Sequence, residues 1–186
     1  YVGRDVEQIV RDLMEIKRQP YTQNYLAMYS TWFGGIVTDP MLMNVPIDDH
    51  LVHRGDGIFE AIKCVEGRVY ALVRHLERLE KSAELVHLTL PMGRERIIET
   101  ILATIRVTGV KDCLIRLYIS RGPGGFTTNP YECVGSQLYL VITGLRPTPP
   151  ERLATGVTLK TSSIPVKEGY FANVKSCNSL ANVLLK

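Results

Sequence analysis

Cysteine is scarce in this sequence and badly spaced for either of its usual jobs. The four present are Cys64, Cys113, Cys133 and Cys177, with no CxxC pair and no histidine at ligand spacing. The pattern supports neither a zinc site nor a disulfide framework, and no metal is expected. Reduced thiols, and with them the cytoplasm, are the expectation. No run of about 18 apolar residues exists, and Tyr1 to Pro20 is charged and helical in pattern, so neither a membrane span nor a leader is read. Neither sign of charge dominates. The 22 basic and 19 acidic residues leave a net charge of +3, too small and scattered to mark a nucleic-acid or membrane surface. Also missing are GxGxxG and GxxxxGK[ST], which removes the commonest nucleotide-binding signatures.

What is present is an ordinary globular mixture, 45% hydrophobic over 186 residues, enough for one core and the start of a second. Ile9, Leu13 and Ile16 recur at helical spacing from Val6 to Lys17, and Pro20 closes that helix. Strand-like runs follow at Tyr25 to Thr31 and Met41 to Val45, flanking Gly34-Gly35 and Asp39-Pro40. Ile58 to Val65 and Arg68 to Val73 are further strands, joined by the hairpin signal Glu66-Gly67. Leu76, Leu79, Ala83 and Val86 form the apolar stripe of a helix from His75. Ile97, Ile98, Ile101, Leu102 and Ile105 form another from Arg94 to Val107. Leu114 to Ser120 and Gln137 to Thr143 return to strand patterns across the loop Arg121 to Gly135. Arg146-Pro147-Thr148-Pro149-Pro150 reads as an extended linker. Beyond it come a strand, Gly156 to Ser162, a polar loop, and a closing helix from Ser179 to Leu185. The class is α+β, with a domain over residues 1–145, a linker at 146–151 and a second domain opening over 152–186.

Four side chains invite chemistry. Lys175 lies between the pair Tyr170-Phe171 and an apolar helix, where partial burial would favour a free amine, although most lysines are solvated surface charges. Arg78 is suited to bidentate grip of a phosphate, against the commoner fate of pairing with Glu77 or Glu80 or of simple exposure. Arg116 sits mid-strand, alternating with Ile115, Leu117 and Ile119, so it must face water or a cleft, and where buried it needs an anion, either a substrate carboxylate or a structural partner. Phe59 enters its strand from His53-Arg54-Gly55-Asp56-Gly57, a glycine-containing turn that precedes a strand rather than a helix and so is no phosphate loop. Arg121-Gly122-Pro123-Gly124-Gly125 could cradle an anion or simply connect.

In order, these segments resemble the class IV, fold type IV pyridoxal-phosphate enzymes: branched-chain aminotransferases, D-amino acid aminotransferases and aminodeoxychorismate lyases. Asp48-Asp49-His50 with Arg54-Gly55-Asp56-Gly57-Ile58-Phe59-Glu60 resembles the family's first motif. His75-Leu76-Glu77-Arg78-Leu79-Glu80-Lys81-Ser82-Ala83 resembles its second, and Val174-Lys175-Ser176-Cys177-Asn178 the segment with the catalytic lysine. The resemblance implies a sandwich-like α/β domain followed by the start of a barrel-like one. It implies pyridoxal 5′-phosphate as cofactor, Lys175 as Schiff-base amine and proton shuttle, Arg78 on the cofactor phosphate, Arg116 on a substrate carboxylate and Phe59 in the side-chain pocket. The implied reaction moves an amino group between an amino acid, branched-chain or similarly apolar, and a 2-oxo acid, in a cytoplasmic homodimer with no nucleic-acid or membrane partner. Aminodeoxychorismate lyase-type elimination, D-amino acid transamination and a non-catalytic fragment are the alternatives. Departures exist: the D-amino acid enzymes carry Tyr where Phe59 stands and an Arg and a His in the loop matching Gly124 to Thr128. The branched-chain enzymes carry Tyr where Ser179 stands, and the lyases an Arg-Gly-Tyr element absent from Phe126-Thr127-Thr128. The acid that pairs with the pyridine nitrogen would follow Lys186, so the chain is expected to be part of a longer enzyme.

Overall fold

The computed structural model describes residues 3–15, 19–165, 167 and 169–185. Its helices are α1 (Val6–Glu15), α2 (His50–His53), α3 (Leu72–Leu85), α4 (Arg94–Thr108), α5 (Pro150–Thr155) and α6 (Leu180–Leu184). Its strands are β1 (Tyr25–Ser30), β2 (Gly35–Val37), β3 (Gly57–Val65), β4 (Arg68–Val69), β5 (Cys113–Ser120) and β6 (Gln137–Gly144). The strands form one antiparallel sheet in the order β2-β1-β6-β5-β3-β4. The class is α+β.

Strand alternation decides which face is covered. Ile58, Ile62 and Cys64 of β3, and Cys113, Ile115, Leu117 and Ile119 of β5, are all fully buried. They meet the stripes read from the sequence: Leu76, Leu79 and Ala83 on α3, and Ile97, Ile101 and Ile105 on α4. Thr100 and Thr104 are tolerated in the buried face of α4 because their hydroxyls donate back to the Arg96 and Thr100 carbonyls, each at 2.7 Å. The opposite face of the sheet carries Leu114, Arg116 and Tyr118.

Several expected elements differ. The Glu66-Gly67 hairpin is present, with both residues at positive φ (52° and 76°), the geometry of a type I′ turn. The strand after it stops at Val69, because Ala71 turns to φ 47° and caps α3, which therefore starts before His75. The hairpin partner of β1 is Gly35–Val37, not Met41 to Val45. The Asp39 carboxylate accepts the Met41 amide at 3.0 Å and closes a 3-10 turn over Pro40–Leu42 instead. Gly156 to Ser162 forms no strand: no described strand pairs with it, and Leu159 is 87% exposed, and an extended segment without a ladder has no reason to be regular. Pro150, read as linker, heads α5 at the position where a missing N–H costs nothing. Ile16 and Lys17, read as the end of the first helix, lie outside the described residues.

Candidate active site

The amino half of β3 has a free edge, since β4 pairs only with Cys64 and Val65 at its far end. Residues 175–177 occupy that edge. The Phe59 amide donates to the Lys175 carbonyl at 3.0 Å, and the Cys177 amide donates to the Gly57 carbonyl at 2.8 Å, forming an antiparallel bridge at Ile58 and Ser176. The Lys175 amide donates to the Ser82 hydroxyl of α3 at 3.3 Å, and Val174 is buried in the core. Lys175 is therefore carried on backbone tied to both sheet and helix. Gly57 itself is tightly enclosed by β5 and α2. A Cβ there would stand 2.8 Å from the Ile119 carbonyl oxygen, 2.9 Å from Leu51 Cδ1 and 3.5 Å from Cys177 Sγ.

Lys175 Nζ lies over the Phe59 ring, 4.1 Å from its centroid, in cation–π geometry. Phe59 stacks on Tyr118 of β5 with centroids 6.0 Å apart. Both Lys175 and Phe59 line a cavity of about 640 Å³ together with Arg78, Lys167, Ser176 and Asn182. Among the described residues its walls hold three cationic side chains, Arg78, Lys167 and Lys175, and no carboxylate. That donor set suits a phosphate or carboxylate, and the Phe59 face suits a flat ring. These residues fit a phosphorylated aromatic cofactor. The neighbouring Cys177 offers no competing nucleophile: burial pushes its thiol up to about 12, against the opposing charges of Lys167 and Lys175.

Arg78 has a partner that lies far from it in sequence. Its Nε donates to Glu60 Oε1 at 2.7 Å and its Nη2 to Oε2 at 2.6 Å, and His75 Nδ1 sits 2.8 Å from the same Oε2. Glu60 is fully buried while the Arg78 side chain is 52% exposed. Burial by itself pushes the Glu60 carboxyl up, but the hydrogen bonds from Arg78 and His75 outweigh it and hold the group below its ordinary 4.5. Glu77 and Glu80, the partners considered from sequence, do not serve. Glu80 instead accepts from Arg94 Nε of α4 at 2.8 Å, and helix residues one or two apart do not face each other. Glu60 was missed, although an acid alternating with Ile58 and Ile62 on an apolar strand face is itself a signal. Lys167, whose Nζ donates to Ser176 Oγ at 2.7 Å, was also missed, and only its place in the polar loop hinted at it.

Arg116 stands apart. It projects from the sheet face away from α3 and α4, opposite Ala61 of β3 and Val141 of β6. Among the described residues its side chain has no hydrogen-bond or ion-pair partner, so a structural pair does not account for it. It lines a second cavity of about 730 Å³ with Tyr25, Tyr118, Tyr139 and Arg146. Tyr118 lines this second cavity and stacks on Phe59, which lines the first. Lys175, Arg78 and Phe59 are thus brought together, and Arg116 lies in the other cavity.

The remaining motif residues hold the frame. Asp49 is fully buried, accepts the Leu51 amide at 2.8 Å to start α2, and accepts the Tyr139 hydroxyl at 2.6 Å and the Ser120 hydroxyl. Burial and then that carboxylate push the Tyr139 phenol well above its usual range. Arg121 does not cradle an anion from outside: its Nε and Nη2 donate to Asp56 at 2.9 and 3.0 Å, and its Nη1 and Nη2 to the His87 and Val86 carbonyls. This clamps the turn ahead of β3 to the end of α3.

The family described as Amino-transferase class IV matches residues 57–186. A D-amino-acid transaminase, chloroplastic, of Arabidopsis thaliana is 42% identical over 164 residues, covering 87% of this chain and 43% of its own. A putative branched-chain-amino-acid aminotransferase of Methanocaldococcus jannaschii is 31% identical over 155 residues, covering 83% and 54%. The chain thus spans about half the length of these curated relatives. Among solved structures, the fold matches 4-amino-4-deoxychorismate lyase from Pseudomonas aeruginosa with a TM-score of 0.66 at 24% identity, over 85% of this chain and 55% of that one. It also matches the branched-chain amino acid aminotransferase of Escherichia coli with a TM-score of 0.58 at 21% identity, over 65% and 41%. A further branched-chain amino acid aminotransferase, solved in complex with N-(5'-phosphopyridoxyl)-L-glutamate, matches with the same score, identity and coverage.

Proposed function

Because the chain belongs to the class IV aminotransferase family, we propose that the protein is a pyridoxal-phosphate-dependent transaminase moving an amino group between an amino acid and a 2-oxo acid. Branched-chain or similarly apolar amino acids are the proposed substrates. The observation that carries this reading is Lys175 Nζ over the Phe59 ring in a cavity shared with Arg78. The proposal includes a cytoplasmic homodimer and a division into a first domain over residues 1–145, a linker at 146–151 and the opening of the cofactor-binding domain over 152–186. Among the described residues no helix is long and apolar enough to cross a membrane.

When bound, the cofactor's pyridine ring supplies the electron sink that protein side chains lack. Arg78 binds its phosphate with the donors that Glu60 leaves free, and Lys167 adds a second positive charge to the same wall. Phe59 excludes water from one side of Lys175 and offers an apolar surface to the substrate side chain. Lys175 Nζ would take the proton from the substrate Cα and deliver it to the cofactor carbon, its reach defined by backbone bonded to β3 and α3. Arg116 holds a substrate carboxylate from the neighbouring cavity.

The test is borohydride reduction of the intact protein with pyridoxal phosphate, followed by peptide mapping and amino-acceptor assays. Label is expected on Lys175, and Lys175→Ala should lose label and roughly 10²–10⁴-fold in turnover. Label elsewhere, or none, sinks the reading. The 42% identity to a D-amino-acid transaminase favours a second substrate class, so L-leucine and D-alanine are compared as amino donors. Pyruvate release without an amino acceptor would mean elimination instead.

A further inference from the structure

An acid beside a phosphate-binding arginine calls for explanation, because it cancels the charge the phosphate needs. We propose that Glu60 is a positioning residue that holds the Arg78 guanidinium in its phosphate-binding orientation, with His75 holding Glu60 in turn. The inference rests on the reading of Arg78 as phosphate ligand. Both Glu60 oxygens are engaged by Arg78, through Nε and Nη2. A guanidinium has five N–H donors in one plane. Two are spent on Glu60, and Nη2 also comes within 3.3 Å of His75 Nδ1. Nη1 has no partner among the described residues. That free edge belongs to a side chain that lines the Lys175 cavity.

The asymmetry of burial gives the arrangement its direction. Glu60 is inside the core, on a β3 paired along its length with β5, so its carboxylate is fixed before anything binds. Arg78 is half exposed at the end of a flexible stem. Without Glu60 the stem samples many rotamers, and binding must bear that entropy. With it, the fork is set in one plane in advance. His75 Nδ1, 2.8 Å from Glu60 Oε2, fixes the carboxylate against rotation and adds donor capacity to the oxygen that Arg78 Nη2 shares. Glu60 also places the cation next to the backbone it serves. It is flanked by Phe59, whose amide donates to the Lys175 carbonyl, so strand register ties the phosphate end of the cavity to the amine end.

The test measures the affinity of the intact protein for pyridoxal 5′-phosphate and for pyridoxal, which lacks the phosphate, in wild type, Glu60→Gln, Arg78→Ala and the double variant. Glu60→Gln should weaken pyridoxal phosphate roughly tenfold, the lower end of what outer-shell partners contribute, and leave pyridoxal within about twofold. In the Arg78→Ala background the Glu60 change should add nothing. Glu60→Asp, which keeps the charge but withdraws it by one methylene, should give the same phosphate-selective loss, so the inference stays testable if the glutamine variant folds poorly. Equal losses for both ligands, or additive effects in the double variant, would overturn it. If Arg78→Ala leaves the preference for the phosphorylated ligand unchanged, the reading of Arg78 itself has failed, a result separable from the others.

Discussion

At the scale of single residues, the site is governed by which charges are anchored. Lys175 and Arg78 are singled out by motifs, and Glu60 is marked by its alternation with Ile58 and Ile62, but its pairing with Arg78 became visible only when β3 and α3 were brought together. Its stability contribution has a definite sign. The folded carboxyl lies below its ordinary 4.5, so its stabilisation is fully present above that value and is lost as pH falls through the lower, folded one. Glu60→Gln should therefore cost roughly 1–3 kcal/mol near neutrality, since the half-exposed Arg78 regains water. The gap to wild type should close on acidification below the ordinary carboxylate range. Urea midpoints for both proteins across pH check this, and a constant gap would mean that the pair contributes nothing through its charge.

Among elements, the decisive event is a strand edge capturing a loop. The alternation of Ile58, Glu60 and Ile62 predicts a strand, yet nothing in that pattern says that residues 175–177 will complete its free edge. Gly57 accepts the Cys177 amide at one end of the bridge, and its own steric constraint lies toward Ile119 and Leu51. Gly57→Ala would press a methyl against the Ile119 carbonyl and is expected to destabilise by about 1–3 kcal/mol. Amide exchange should quicken at Phe59 and Cys177, whose hydrogen bonds form the bridge. Unchanged exchange at both amides would show that the segment is held by something other than β3. The same comparison explains the misread strands. Met41 to Val45 and Gly156 to Ser162 have strand-like composition, but β-structure is made by a partner, and the Asp39 cap removes the first while the second has none within the described residues.

In the whole molecule one sheet face is covered throughout and the other only in part, since Met28 and Tyr139 on the Arg116 side are 2% and 1% exposed. Helices α3 and α4 bury the first, while the second bears the exposed Arg116 and the partly buried Tyr118, and Val157, Leu159 and Leu184 are 63%, 87% and 61% exposed. Exposed apolar residues of this size call for cover. Under the homodimer proposed above, sedimentation equilibrium of the intact protein should give twice the monomer mass at micromolar concentration. A strictly monomeric protein that still transaminates would refute the dimer and leave the chemistry intact.

Periodicity alone determined the helices that carry Leu76 to Ala83 and Ile97 to Ile105, the strands around Ile115 and Leu140, and the Glu66-Gly67 turn, because each depends on neighbours within a few residues. Ordered motifs singled out Lys175 and Arg78. Only tertiary structure decided that Glu60 rather than Glu77 or Glu80 holds Arg78, that Asp49 and Arg121 brace the frame, and that Arg116 faces a different cavity from Lys175. Those are contacts across the sheet and between sheet and helix, and local patterning cannot encode a partner whose distance along the chain is set by how strands pair.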